Sequence, residues 1–257
     1  MISQPLFLRP EHPGLGDQDP RVTDPAPNLH ILITAGPTYE PIDAVRFLGN
    51  RSSGRLGSAL ADEAARRGMT VTLLLGPNAV APTNPRVQVV RFRSTADLQS
   101  LLAEHLPHCS VLVMAAAVAD YRPVLDEIDP NGKRRREPGG MTLTLEATPD
   151  LLAGCSRQAR PDQLLVGFAL EPAAELLDSA RRKLSRKSID LIVANPLETM
   201  DSDAIAATLV GNPSRGMDLE ISTGGPIPKG EFAGWLLDRI TPLAERRVRQ
   251  EQTHGKA

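Results

Sequence analysis

Cysteine and aromatic side chains are scarce in this 257-residue chain, and neither sign of charge dominates. The two cysteines, Cys109 and Cys155, stand far apart with no CxxC; this excludes a disulfide framework or a cysteine-rich zinc site and fits a reducing, cytoplasmic setting. Aromatics make up 3% of the residues, too few for the stacking platforms that hold single-stranded nucleic acid. Lys and Arg number 29 against 31 Asp and Glu, a net charge of −2. No global positive field therefore draws nucleic acid or an anionic membrane, and any anion site must be local. No run approaches the roughly eighteen uninterrupted apolar residues of a membrane span, and the N-terminus lacks the basic region and apolar stretch of a signal peptide. The five histidines show no metal spacing, and the GxSxG nucleophile elbow is missing.

What is present is an alternation of apolar runs and helical stretches. The first 28 residues, rich in Pro, Gly and Asp without period, read as a flexible leader. From His30 onward HILITAG, TVTLLLG, VQVVRFR, SVLVMAAAVAD, LLVGFALE and DLIVAN read as strands, most of them continuously apolar, as strands covered on both faces are. Helices are predicted for Ser53 to Arg67, Thr95 to His105, Pro149 to Arg160, Pro172 to Lys187 and about Lys229 to Gln250, the last with Phe232, Leu236, Leu237 and Ile240 on one face. This pattern predicts an α/β fold: a Rossmann-like, doubly wound, mainly parallel sheet with right-handed crossovers. IAATLVG and MDLEIS, separated by NPSRG, predict an appended antiparallel hairpin. The domain plan is a leader over 1–28, one domain over 29–250 and a frayed tail over 251–257. Ligands of such a fold sit beyond the carboxyl ends of the strands, so the residues that follow strands are the informative ones.

After the first strand comes AGPTYEPIDAVRFLGNRSSGRLG, Ala35 to Gly57, too long for a simple turn and without GxGxxG. Gly49 to Gly54 has P-loop spacing but continues Arg55-Leu56, which removes the phosphate lysine and the magnesium hydroxyl. Ser52, Ser53 and Gly54 open a helix whose unpaired N–H groups and positive dipole end suit a phosphate. Arg46 and Asn50 offer a charged fork and a carboxamide just before it. Each also has a plainer role: Ser53 as an N-cap, Arg46 as an ion-pair partner, Asn50 as a turn residue. Together, in an overlong loop, they favour function. Met114, Ala115 and Ala116 end the fourth strand with small side chains that let a planar ring approach the backbone, and Asp120 can accept from an amine or a ribose hydroxyl; close packing and a cap are the alternatives. The run Lys133-Arg-Arg-Arg136 between glycines reads either as a mobile basic loop that closes over a triphosphate or as a solvated turn. Lys183 and Lys187 share a helix face near a C-terminus, for dipole or for phosphate. Phe168 and Glu171 end a strand, where a ring can flank a base and a carboxylate can orient magnesium.

These segments resemble the phosphopantothenate-cysteine ligase family of coenzyme A biosynthesis. The carriers are TAGPTYEPIDAVRFLGNRSSGRLG, AAAVADYRP, GKRRR, ATPDLL, VGFALE and ARRKLSRKSIDLIVANP, in the family's order from about Ile31 to Pro196. The resemblance implies a stand-alone bacterial ligase over 29–250. It would activate 4'-phosphopantothenate with CTP, or alternatively ATP, assisted by Mg2+, and pass the acyl-cytidylate to L-cysteine with release of pyrophosphate and CMP. By motif, Asn50 and Arg46 would hold the intermediate and Lys133 would assist its formation. Met114, Ala115, Ala116 and Asp120 would meet base and ribose, with Pro149, Asp150, Leu151, Leu152, Phe168, Lys183 and Lys187 completing the nucleotide site. The metal ligands stay unassigned. The basic loop departs from the usual Lys-Ile-Lys-Lys by reading Lys-Arg-Arg-Arg. The resemblance further implies a homodimer, paired through the closing hairpin, and a flavin decarboxylase on a separate chain, with no nucleic-acid or membrane partner. Two competing readings are a Rossmann NAD(P)-dependent oxidoreductase, against which the absent GxGxxG counts, and a module that binds CTP without turnover.

Overall fold

Ile31, Ile33 and Ala35 join one buried cluster and Leu32 the other. A strand buried on both faces needs a helical layer on each side. The computed structural model of the chain describes residues 28–124, 132, 133, 135, 138–200 and 202–254. Apart from Asn28 the expected leader lies outside the described residues, as do 255–257 of the expected tail and 134 and 136 of the basic run.

Eight strands form the central sheet: β1 (His30–Ala35), β2 (Thr70–Leu75), β3 (Gln88–Arg91), β4 (Val111–Met114), β5 (Leu164–Glu171), β6 (Leu191–Pro196), β7 (Thr208–Gly211) and β8 (Glu220–Ser222). Their order is β8-β7-β6-β5-β4-β1-β2-β3. The strands β1 to β6 run parallel, whereas β7 pairs antiparallel with β6 and β8 with β7. This is the doubly wound sheet with its appended hairpin, and its order reverses between β1 and β4, which opens a crevice there.

The helices α1 (Arg55–Arg66) and α5 (Lys229–His254) cover one face, setting Leu60, Ala64, Phe232, Leu236, Leu237 and Ile240 against Ile31, Ile33, Leu73 and Val113. On the other lie α2 (Thr95–His105), α3 (Leu151–Gln158) and α4 (Leu176–Lys187), which set Leu98, Leu102, Leu151 and Leu184 against Leu32, Leu74, Leu112 and Leu165. Each fully buried Leu, Ile or Phe contributes about 1.5–3 kcal/mol, so the two layers hold the sheet rigid beneath the loops. The start of α2 falls where the sequence places it because Ser94 and Asp97 form a reciprocal capping box.

The structure departs from the sequence reading at several element ends, among them both ends of α3, which spans Leu151–Gln158 where the sequence predicts Pro149 to Arg160. The fourth strand stops at Met114, because its pairing with β5 ends at Met114↔Gly167; Ala115 and Ala117 instead donate to the carbonyls of Thr34 and Gly36 at 3.2 and 2.9 Å. Helix α1 begins two residues late, since Gly54 adopts φ 70° and takes the N-cap position with no side-chain cap; Ser53 is not the cap. Residues Ala173–Glu175 form a 3-10 turn before α4. Helix α5 runs on through Pro242 to His254, taking up the first four residues of the stretch expected to fray.

Candidate functional site

The overlong segment after β1 is built. Tyr39–Pro41 and Phe47–Gly49 pair as an antiparallel ribbon, and Asp43 organises its turn: Oδ1 accepts from the amides of Val45 and Arg46 at 2.8 and 2.7 Å. The Arg46 guanidinium lies 2.5 Å from the other oxygen of Asp43, whose side chain is fully buried. Beyond the ribbon, Asn50 donates to the carbonyl of Val118 at 2.9 Å and so ties this segment to the one that follows β4. Thr38 Oγ1 accepts from the Ala119 amide at 2.9 Å. The two loops that diverge from the switch point are thus laced side by side, and the crevice opens past them.

Two lobes occupy that crevice. The larger, about 730 Å³, is lined by Asn50, Met114, Ala116 to Asp120, Thr148 to Leu152, Phe168, Lys183, Arg186 and Lys187, among others. The smaller, about 230 Å³, is lined by Arg51 to Gly57, Ala115 to Ala117, Asn195, Thr199, Met200 and Lys229, with Phe168. Arg51, Ala116, Ala117, Phe168, Leu170 and Met200 border both, so the lobes form one continuous cleft. The floor of the smaller lobe needs glycine. A β-carbon on Gly54 would lie 2.6 Å from that of Ala79, and φ 70° disfavours any other residue. With α1 starting at Arg55, its first amides open toward this lobe, where an anion is favoured.

The larger lobe carries Arg51, Lys183, Arg186 and Lys187 against Asp120 and Asp150. A chain with net charge −2 therefore concentrates positive charge locally. Lys183 pairs with Glu171 and Lys187 with Asp150, each at 2.5 Å. The bond from Lys183 is the chief reason that the Glu171 carboxyl is held below its ordinary range, with Ser179 donating at 3.0 Å as well. For Asp150, burial pushes the other way, but the bonds from Lys187 and from the Ala153 amide prevail and its carboxyl also lies low. Asp150 is the N-cap of α3, so one carboxylate joins two walls of the cleft. Both lysines answer carboxylates, and Glu171 answers Lys183. Among the described residues no group of three or more His, Cys, Asp or Glu is placed to hold a metal.

Of the residues singled out from sequence, the structure brings Asn50, Met114, Ala116, Asp120, Pro149, Asp150, Leu151, Leu152, Phe168, Lys183 and Lys187 around the larger lobe, and Ser52, Ser53, Gly54 and Ala115 around the smaller. It leaves three outside both linings, the first being Glu171, which is taken up by Lys183. Arg46 faces Asp43, and Lys133 stands exposed beyond the ribbon, where the Gly132 carbonyl accepts from the Ala44 amide at 3.0 Å. The basic loop and the Arg46 turn thus touch each other. Sequence reasoning missed Arg51, Arg186, Asn195, Met200 and Lys229, among others. Arg186 follows Lys183 by three on one helix, and Asn195 ends a parallel strand; those signals were readable. Met200 and Lys229 reach the cleft only through tertiary folding.

Among the described residues, no helix is long and apolar enough to cross a membrane. Residues 27–243 match the family model described as DNA/pantothenate metabolism flavoprotein C-terminal domain. Similar curated proteins include a cysteine/cysteine sulfinic acid decarboxylase of an unknown prokaryotic organism, 37% identical over 85% of this chain and 60% of its own length. The coenzyme A biosynthesis bifunctional protein CoaBC of Mycobacterium bovis is 43% identical over 64% of this chain and 41% of its own, and that of Bacillus subtilis 38% over 68% and 42%. The chain thus spans well under two thirds of these relatives. Among solved structures, the C-terminal domain of a CoaBC protein superposes with a TM-score of 0.70 at 32% identity, covering 85% of this chain and 96% of that one. A DNA/pantothenate metabolism flavoprotein of Streptococcus pneumoniae also gives 0.70, at 26% identity over 84% and 99%. With residues 27–243 matched by the family model, the chain belongs to the family of DNA/pantothenate metabolism flavoprotein C-terminal domains.

Proposed function

We propose that this chain is a phosphopantothenate-cysteine ligase of coenzyme A biosynthesis, which activates the carboxylate of 4'-phosphopantothenate as an acyl-cytidylate and transfers the acyl group to the amine of L-cysteine. The observation that carries the reading is the continuous two-lobed cleft at the switch point, with a cation-rich larger lobe and an α1 N-terminus opening on the smaller one. A nucleotidyl transfer to a carboxylate needs in-line placement and charge neutralisation more than a covalent nucleophile. The relatives named for coenzyme A biosynthesis support the same assignment.

In this reading the larger lobe takes the nucleotide. Met114 and Ala116 offer the ring a close backbone, with Ala115 beside them on the smaller lobe, Phe168 flanks the ring, and Asp120 meets the ribose. Lys183 and Lys187 border the same lobe with the Pro149 to Leu152 turn. Asn50, held on Val118, stands where the loops meet and contacts the acyl-nucleotide. The basic loop brings Lys133 over the reacting phosphates, and Arg46 sits on the turn that this loop touches. CTP is favoured over ATP by the bacterial character of the first loop. Magnesium would neutralise phosphate charge; with Glu171 and Asp150 spent on lysines, the triphosphate oxygens themselves would be its main ligands. The homodimer and the cytoplasmic location belong to the same proposal. For the dimer, the closing hairpin offers β8, the edge strand of the sheet, and a second apolar surface is offered by the exposed Phe47 on the first ribbon and by Tyr121 and Leu145 on a further antiparallel ribbon that pairs Tyr121–Pro123 with Leu145–Ala147.

The test is pyrophosphate release from CTP or ATP with magnesium and 4'-phosphopantothenate, with and without cysteine. CTP-dependent release and formation of the cysteine adduct are expected, with Lys133→Gln lowering the rate about 100-fold and Asn50→Ala leaking the intermediate. A folded protein that turns over neither triphosphate overturns the reading; nucleotide binding without turnover would leave only a binding module.

A further inference from the structure

Strand β6 delivers Asn195 to the carboxyl edge of the sheet, in register with Leu170 of β5, and Asn195 lines the smaller lobe. Pro196 follows it, which keeps Asn195 extended. The next turn, Leu197–Thr199, is 3-10 and brings the Thr199 hydroxyl back beneath the strand end.

Two short contacts fix how the Asn195 amide is presented. Thr199 Oγ1 lies 2.7 Å from the Pro196 carbonyl oxygen. A carbonyl only accepts, so the single hydroxyl proton of Thr199 is used there. Thr199 Oγ1 also lies 2.8 Å from the Asn195 amide, and toward that group it can only accept. The atom facing it must be Nδ2. The other end of the amide, Oδ1, is consequently an oriented acceptor at a lobe that Arg51, Lys229 and the first amides of α1 also border, together with Arg55, which pairs with Asp203 at 2.6 Å. A lobe that combines an acceptor with cationic groups suits a ligand carrying both an amine and a carboxylate.

We infer that Asn195, with its amide locked by Thr199, is the group that receives and orients the amine of the amino-acid substrate for attack on the activated acyl carbon; this rests on the ligase reading above. Asn195 Oδ1 accepts one N–H of the substrate ammonium; loss of a second proton to water then frees the nitrogen lone pair for the acyl carbon. The C–N bond forms, the C–O bond to the nucleoside monophosphate breaks, and that monophosphate leaves with the bonding pair. The further proton lost from nitrogen also goes to water, since an amide oxygen is no base at neutral pH. Asn195 binds the substrate; Thr199 is a positioning residue.

The two halves of the reaction separate this inference from the reading it rests on. Asn195→Ala should release pyrophosphate from triphosphate and 4'-phosphopantothenate at the wild-type rate without cysteine, yet show a cysteine KM raised about 10-fold or more, the loss expected for a charge-assisted hydrogen bond. Thr199→Val, which frees the amide to rotate, should raise the same KM by a smaller factor. Asn195→Asp, which keeps an acceptor, should restore it toward wild type. Unchanged cysteine KM in Asn195→Ala overturns the inference while leaving the ligase intact. A raised KM for 4'-phosphopantothenate in the first half overturns it too, because Asn195 would then serve the acyl chain. No pyrophosphate from the wild-type protein would instead sink the ligase reading itself.

Discussion

Lys187 Nζ lies 2.5 Å from Asp150 Oδ2, while Asp150 Oδ1 accepts from the Ala153 amide at 3.1 Å. One carboxylate thereby caps α3 and holds α4 against it, so the two helices that wall the larger lobe share a joint. Asp150→Ala should cost about 1 kcal/mol, chiefly as the lost cap, because the ion pair is partly exposed. The pH dependence follows from the direction of the shift. A carboxyl whose folded value is below its unfolded value of about 3.9 stabilises fully above that pH and loses its contribution as pH falls through the folded value. The gap in urea midpoint between wild type and Asp150→Ala should therefore narrow as pH falls from 7 to 3. A gap that stays constant with pH would leave the cap and exclude the charge.

The strands and helices of the mainly parallel sheet and most of the cleft lining were legible because they rest on local pattern, whereas the order of the strands comes only from the structure. Continuous apolarity marked the covered strands, and the rule that ligands lie past strand ends selected Met114, Asp120, Phe168 and Asn50. The ribbons were not legible: Tyr39–Pro41 and Phe47–Gly49 are three-residue strands, too short for any period to show. The start of α1 was misread because SSG looks like a capping serine, whereas the contact between Gly54 and Ala79 is set by a loop more than twenty residues away. The partners of Lys183 and Lys187 come from other elements and leave no trace at their own spacing.

Gly57 on α1 meets the side chain of Ala35 and the Thr34 carbonyl, so this helix lies closer to β1 than a β-carbon permits. Gly57→Ala should push the start of α1 away from the sheet, at about 1–3 kcal/mol for an overfilled contact, and the smaller lobe should distort with it. Thermal unfolding and nucleotide binding would report the two effects separately. Gly68→Ala provides the contrast: nothing lies within 4 Å there, but φ is +85°, so it should lose stability through the backbone alone and leave binding unchanged.

Burial pushes the Cys109 thiol up to about 12 and that of Cys155 up to about 11. Thiolate, the reactive form, is then negligible near neutrality. Native protein at pH 8 should leave both thiols untouched by a disulfide-exchange reagent, and urea should expose both. Rapid labelling of one thiol in the native protein would contradict this, and mass spectrometry would say which.

At the opposite edge of the sheet from the cleft, Asp190 is fully buried between two cations. Its Oδ1 accepts from Arg215 at 2.5 Å and from Arg247 at 2.7 Å, and Oδ2 accepts from the Leu165 amide at 2.8 Å. Arg247 also donates to the Gln163 carbonyl at 2.6 Å, so this one carboxylate pins α5 and the turn after β7 to the starts of β5 and β6. Removing the charge strands two arginines in a site with little water, which costs about 3–5 kcal/mol. Asp190→Ala should therefore lower the unfolding midpoint far more than Asp150→Ala. Because the pin stands away from the cleft, triphosphate affinity of the folded fraction should stay at the wild-type value. Replacing Arg247 by Met in the same protein should add little further loss, since residues of one network do not lose stability additively. Additive losses would mean that Arg247 holds α5 mainly through Gln163.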